Sequence, residues 1–312
     1  MATHPGRLSA GPPAVVLERL SRRFGERTVL GGVDLRIPQG QFVALVGRSG
    51  SGKSTLLRAL AGIDHDVAGE GRIEAPRRVS VVFQDSRLLP WRRVLANVLL
   101  GLPRHGPQAR EAAERARAAL AEVGLAGRED AWPNELSGGE AQRAALARSL
   151  AREPELLLAD EPFGALDALT RIRMHTLLRE LWERHRPTVL LVTHDVDEAV
   201  VLADRVLVLE EGRFSLDLPV DLPHPRTLRD PRLAEYREQL LAALGVREDT
   251  VDGVDTVGGE HAPGVVPDGA DASTTDATAA AADAADAPAD GAAPGAAAAS
   301  DKAAKTLEEV AR

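Results

Sequence analysis

Between residues 47 and 55 the chain reads Gly47-Arg48-Ser49-Gly50-Ser51-Gly52-Lys53-Ser54-Thr55, a match to the pattern G-x-x-x-x-G-K-[S/T]. The flanks fit as well. Gln41-Phe42-Val43-Ala44-Leu45-Val46 is a short apolar run of strand type, and Thr55-Leu56-Leu57-Arg58-Ala59-Leu60-Ala61 has helical spacing. Strand, glycine loop and helix in that order make a phosphate cradle. Glycines let the backbone close until successive N–H groups converge on an anion. The helix start adds the positive end of its dipole. In such a loop Lys53 reaches the β- and γ-phosphates of a triphosphate, and the Ser54 hydroxyl holds Mg²⁺. A nucleoside triphosphate with Mg²⁺ is the expected ligand, with Gly47 through Thr55 as binding residues.

The chain has 312 residues and no cysteine, so disulfides and thiolate metal sites are excluded and a reducing compartment fits. The start, Met1-Ala2-Thr3-His4-Pro5-Gly6, has no apolar run, so no secretory leader is expected. No apolar stretch approaches the ~20 residues of a membrane span. The net charge of −9 is local. Residues 251–300 carry nine acids and no Lys or Arg, which accounts for the whole imbalance. The remainder is electrically balanced, so no nucleic-acid partner is expected.

Composition shifts near residue 250. Tyr236 is the last aromatic residue, and Ala, Asp, Gly and Pro dominate beyond it. A segment so poor in large apolar side chains cannot offset its ordering entropy. The expected organisation is a flexible start over 1–13, a folded domain over 14–245, and a disordered acidic tail over 246–312. The tail is read as a solvated spacer, with a docking element as the alternative. Its end, 301–312, is compatible with a frayed helix.

Within 14–245 the pattern is α/β. Val15–Leu20, Val29–Ile37 and Val79–Phe83 read as strands. Leu156–Ala159, Val189–Val192 and Val206–Leu209 are continuous apolar runs, as expected of strands covered on both faces. Helical patterns at 110–123, 140–152, 169–185 and 196–203 separate them, which predicts a mostly parallel sheet with helical crossovers. The stretch 86–150 shows helical patterns and no clear strand, so a helical insertion is expected there.

Two further features surround the loop. The strand Leu156-Leu157-Leu158-Ala159 ends in Asp160-Glu161, where ligands bind in open α/β sheets. Asp160 is suited to orient Mg²⁺, and Glu161 to polarise an attacking water as general base. Ser137-Gly138-Gly139-Glu140 is a capping-box start to a helix, with bare N–H groups at its first turn.

The order of these motifs resembles the ATP-binding subunit of ABC transporters over about 14–245: phosphate loop, Gln84 after a strand, Ser-Gly-Gly before a helix, strand-Asp-Glu, then Thr193-His194-Asp195 after a strand. The resemblance implies a P-loop NTPase core with an N-terminal antiparallel β subdomain and a helical subdomain. It implies that Phe24 stacks on adenine, that Gln84 senses Mg²⁺ and faces a membrane partner, and that His194 contacts the γ-phosphate. It further implies that Asp167, in Ala165-Leu166-Asp167, links two sites across a dimer. Ser137, Gly138, Gly139 and Glu140 would serve the ATP of a second copy. The family's commonest signature ends in Gln where this chain has Glu140, so a negative charge lies near the partner's γ-phosphate and weaker ATP-driven closure is expected.

Leu88-Leu89-Pro90-Trp91 is similar to the subgroup of nitrate, taurine and aliphatic sulfonate importers, with Trp91 near the groove for the permease's coupling helix. Arg27–Leu30, Gly47–Gly50, Gly164–Thr170, and Leu216–Val220 through His224-Pro225-Arg226 are most similar to its aliphatic sulfonate branch, with taurine or nitrate as alternatives. The resemblance implies a homodimer on the cytoplasmic side of the cell membrane, an integral membrane permease, and an extracytoplasmic solute-binding protein acting indirectly. A soluble ABC ATPase acting on DNA or ribosomes is a competing reading. It fits less well, because there is one phosphate loop and no long coiled-coil insertion. A regulatory subunit that binds ATP without hydrolysing it is a third, opposed by the intact Lys53, Asp160, Glu161 and His194.

Overall fold

The computed structural model describes residues 12–227 and 229–246; the expected acidic tail beyond 246 and most of the expected flexible start lie outside the described residues. Two sheets are built. Strands β1 (Pro13–Phe24) and β2 (Arg27–Pro38) pair antiparallel, and β4 (Arg72–Glu74) joins on the other side of β1. The larger sheet holds β3 (Phe42–Val46), β5 (Val79–Val82), β6 (Leu156–Asp160), β7 (Thr188–Val192), β8 (Arg205–Glu210) and β9 (Arg213–Pro219), in the order β5-β6-β7-β3-β8-β9. All neighbours are parallel except β8 and β9.

The apolar runs explain this layering. Every residue of β3 and β7 is buried. Phe42, Ala44, Val46, Leu157, Ala159, Val189, Leu191, Val206 and Val208 face one core. That core is shared with α4 (Gly138–Leu150), α5 (Ala168–His185) and α6 (Val196–Leu202). The alternate residues Val43, Leu45, Leu156, Leu158, Leu190, Val192, Leu207 and Leu209 face a second core with α1 (Lys53–Leu60) and the antiparallel sheet. Both faces are covered, so the strands carry no polar alternation. Each such Leu or Val contributes roughly 1.5–3 kcal/mol by burial.

Between β5 and β6 the described residues are helical: α2 (Val94–Val98), α3 (Gln108–Glu122) and α4, preceded by a 3-10 turn at Pro133–Glu135. The segment after β5 is tied to α4. Gln142 Nε2 donates to the Phe83 carbonyl at 2.8 Å, and Arg148 donates to the Ser86 and Arg87 carbonyls at 2.7 and 2.8 Å. Fully buried Asn97 closes the following turn, bonding both the N–H and the carbonyl of Leu89. Trp91, in that turn, is 69% exposed.

The last described helix, α7 (Pro231–Ala243), follows an arginine staple. Buried Arg226 donates to the Val200 and Ala203 carbonyls at the end of α6, and to those of Val220 and Leu222. Burial pushes its guanidinium down to about 10. A planar fork with five N–H donors can span these four carbonyls, whereas a lysine point charge cannot. Arg226→Lys is expected to lower stability by about 3 kcal/mol through unsatisfied carbonyls. In thermal denaturation that corresponds to a drop in Tm of about 6–12 °C for a domain of this size; a drop under about 2 °C would contradict the staple.

Candidate functional site

The loop after β3 is held from two sides. A Cβ on Gly47 would lie 2.3 Å from the Leu209 carbonyl oxygen at the end of β8, so only glycine fits. Gly52 caps α1 at φ 108°, where a Cβ would lie 2.9 Å from the Val29 carbonyl of β2. No side chain caps α1, so the N–H groups of its first turn remain for a ligand. Lys53 is buried and turns back over the loop, donating to the Gly47 and Arg48 carbonyls at 2.7 and 2.9 Å. An ammonium has three donors, so one is left for an anion.

The acids arrive from β6. Ser54 Oγ donates to Asp160 Oδ1 at 3.3 Å. Burial pushes the Asp160 carboxyl up; the Ser54 bond opposes this and the neighbouring Glu161 adds to it. Burial pushes the Lys53 ammonium down, against the pull of Glu161 and Asp160. Both charged groups are therefore desolvated with only partial mutual compensation, which suits a site for a ligand carrying both signs, such as a metal triphosphate.

Glu161 has φ 46°, a left-handed conformation rare for a non-glycine residue and a sign of stored strain. Its N–H donates to the Val192 carbonyl at 2.9 Å, and its carbonyl accepts from the Gly164 N–H at 3.1 Å. His194, exposed after β7, has Nδ1 3.3 Å from Glu161 Oε2. A cleft of 510 Å³ is lined by Ser49, Lys53, Ser54, Thr55, Glu161 and His194, with Arg27 and Val29 supplied by β2. Sequence reasoning did not single out these two β2 side chains as ligand-facing.

Gln84 follows β5, and its amide lies 3.1 Å from where a Cβ on Gly164 would stand, so it rests against the segment that follows Glu161. Phe24 is half exposed where β1 turns into β2, paired with Arg27.

Ser137, Gly138, Gly139, Glu140 and Asp167 do not line this cleft. They form a second constellation. Ser137 caps α4, and Glu140 returns the bond, its carboxylate accepting from Ser137 N and Oγ, each at 2.9 Å. Those bonds hold the Glu140 carboxyl below the usual range. Asp167 caps α5, accepting from the Thr170 N–H at 3.0 Å; the Thr170 hydroxyl first, and this N–H second, hold its carboxyl low. A Cβ on Gly139 would meet the Thr170 methyl at 2.6 Å, so the two helix starts touch.

A third cluster had no signal in the sequence, because its members come from separate elements. Thr193 Oγ1 donates to Glu198 Oε2 at 2.6 Å, and His175 Nε2 lies 2.9 Å from Glu198 Oε1. The His175 ring meets Phe163 edge-on, with centroids 4.8 Å apart.

With Arg128 3.5 Å from its other oxygen, the Glu140 charge is turned back onto its own cap. Neutralising it removes a negative charge from the first turn of α4, where the helix dipole favours an anion. Glu140→Gln is therefore expected to tighten the apparent ATP affinity by about twofold at low salt. Unchanged hydrolysis rate and affinity would contradict this.

Residues 30–164 match the family described as ABC transporter. The chain is 76% identical over 248 residues to the aliphatic sulfonates import ATP-binding protein SsuB 2 of Streptomyces avermitilis, covering 80% of this chain and 96% of that protein. It is 67% identical over 246 residues to the protein of the same name from Rhizobium johnstonii, covering 79% and 97%. Among solved structures, it is similar to a dimeric post-hydrolysis state of an ATP-binding cassette bound to ADP and Pi. There the TM-score is 0.58 and identity 31%, with 67% of this chain and all of that chain covered. A phosphate loop, an Asp-Glu strand end and a histidine converging on one cleft, in a chain this close to such relatives, lead to one conclusion: it belongs to the ABC transporter family, as an ATP-binding protein.

Proposed function

We propose that this chain is the ATP-hydrolysing subunit of an importer for aliphatic sulfonates. The observation that carries the catalytic part is that Lys53, Ser54, Glu161 and His194 line one cleft, with Asp160 bonded to Ser54 at its edge. The solute rests on the aliphatic sulfonate importer relatives, since no residue here is expected to touch it.

In this reading the loop N–H groups and Lys53 bind the triphosphate, with Phe24 against adenine. The hard oxygens of Ser54 and Asp160, with Gln84 nearby, fit Mg²⁺ and would hold it. When bound there, the metal would supply neutralising charge for the phosphates. Glu161 accepts a proton from the attacking water through the carboxylate oxygen not engaged by His194. The water oxygen bonds to the γ-phosphorus as the bond to the β-bridging oxygen breaks, giving ADP and phosphate. His194 steadies the γ-phosphate and orients Glu161.

The Ser137–Gly139 helix start lies outside its own chain's cleft and suits the ATP of a second copy, so two copies close face to face. Gln84 rests beside Gly164, and its segment is bonded to α4 through Gln142 and Arg148. Closure at the γ-phosphate is thereby passed to the helical region over 86–150 and to the exposed Trp91 turn, where a membrane permease docks. A solute-binding protein delivers cargo on the far side. Among the described residues no helix is long and apolar enough to cross a membrane; the subunit attaches peripherally at the cytoplasmic face. The nucleotide-binding domain spans 14–245, and the acidic tail over 246–312 is a spacer outside the catalytic unit.

In a strain lacking its own copy, wild-type chain should restore growth on alkanesulfonates as sole sulfur source, and Glu161→Gln should not. Growth on sulfate should be unaffected. Restoration on taurine alone, or by the Glu161→Gln variant, would contradict the assignment.

A further inference from the structure

We propose that His175 is a positioning residue for hydrolysis, locking the loop that carries Glu161 to the loop that carries His194. The inference rests on the catalytic reading of those two residues.

The two loops leave adjacent strands. Glu161 follows β6 and His194 follows β7. Their direct contacts are few: one backbone bond from Glu161 N to Val192 O, and the 3.3 Å approach of His194 to Glu161. Glu161 stands in a strained conformation, and His194 is 66% exposed. Neither is fixed by burial. A strained or exposed group keeps its geometry only when its surroundings over-determine it.

His175 supplies that constraint. It lies on α5 and is mostly buried, with Glu198 on α6 2.9 Å away. Glu198 is 5% exposed, and a carboxylate this buried needs partners for both oxygens. It has them. Oε1 accepts from His175 Nε2, and Oε2 accepts from the Thr193 hydroxyl at 2.6 Å. The Thr193 hydroxyl also accepts from the Asp195 N–H at 3.0 Å, while Thr193 N donates to the Leu45 carbonyl at 3.1 Å. Asp195 Oδ1 accepts from the Asp197 and Glu198 N–H groups. His194 is therefore gripped on both sides by residues that Glu198 organises.

On its other side the imidazole packs edge-on against Phe163 at 4.8 Å, two residues after Glu161 in the chain. Phe163 is 2% exposed, so it is an anchor for its loop. One side chain thus touches the Glu161 loop directly, through the ring contact, and reaches the His194 loop through the buried Glu198 carboxylate. Helix α5 is the rigid element that carries it. A misplacement of reacting groups by even ~1 Å can cost up to ~100-fold in rate, so partial loosening at this distance should cost kcat about tenfold while leaving ATP affinity alone.

The test uses the full-length chain, with kcat and KM for ATP measured below the Tm of each variant. His175→Phe keeps a ring against Phe163 but offers Glu198 no donor; kcat should fall about tenfold, with KM for ATP within about twofold. His175→Gln restores an N–H donor and should recover most of that loss. Should His175→Phe fold poorly, Thr193→Val removes the hydroxyl on the other side of Glu198 and should give the same loss in kcat alone. Where both variants fold, combining them should cost little more than either one. Wild-type turnover in His175→Phe overturns the inference. So does a loss shared equally by KM, or a His175→Gln as impaired as His175→Phe. Glu161→Gln serves as control. If it is inactive while His175→Phe is normal, only the positioning role fails; if Glu161→Gln hydrolyses ATP like the parent, the catalytic reading fails with it.

Discussion

Three strands lying side by side and pointing the same way make the site possible. β6, β7 and β3 are hydrogen-bonded neighbours in parallel register. Their carboxyl ends therefore deliver Asp160-Glu161, Thr193-His194 and the Gly47 loop to one edge, although that loop is more than a hundred positions from the other two in the chain. A one-residue slip would exchange the side chains facing the two cores, so the register rests on how those side chains fit each packed core. Chemistry at the edge is thus a consequence of packing in the interior.

At that edge the protein holds charges in a state a ligand improves. Lys53 and Asp160 are both pushed toward neutrality by burial, and each only partly relieves the other. Such a pocket is preorganised at some cost to stability and gains most from a partner that carries both phosphate and metal charge. Glu161 adds backbone strain at the same place. The helix starts at Ser137 and Asp167, by contrast, are capped by their own side chains, reciprocally with Glu140 at Ser137, and those bonds hold the Glu140 and Asp167 carboxyls low. In the proposed function these are the two halves that an assembly of two copies brings together.

Much of this was legible in the sequence because it depended on local pattern. The doubly buried strands read as unbroken apolar runs, and the phosphate loop, the Asp-Glu strand end and the Ser137–Glu140 box each carry their chemistry within a few residues. What was not legible depended on shape and on distant pairing. β4 is three residues long, and α2 is five. Neither carries a periodic signal. β9 alternates, but it lies at a sheet edge where Pro219 and exposed side chains obscure it. His224-Pro225-Arg226 stood out only by resemblance, because its physical basis, an arginine fork closing the end of α6, pairs residues more than twenty positions apart. His175 and Glu198 are 23 residues apart, and nothing in either neighbourhood marks them as a pair.

The central claim is that ATP is enclosed between two copies, each completing the other's pocket with its Ser137–Gly139 helix start. The direct measurement is the mass in solution of the Glu161→Gln chain at saturating ATP and Mg²⁺, by light scattering or sedimentation. The account predicts a dimer with ATP that reverts to monomer on exchange into ADP. A strictly monomeric chain under ATP, with the membrane permease supplied as well, would contradict it.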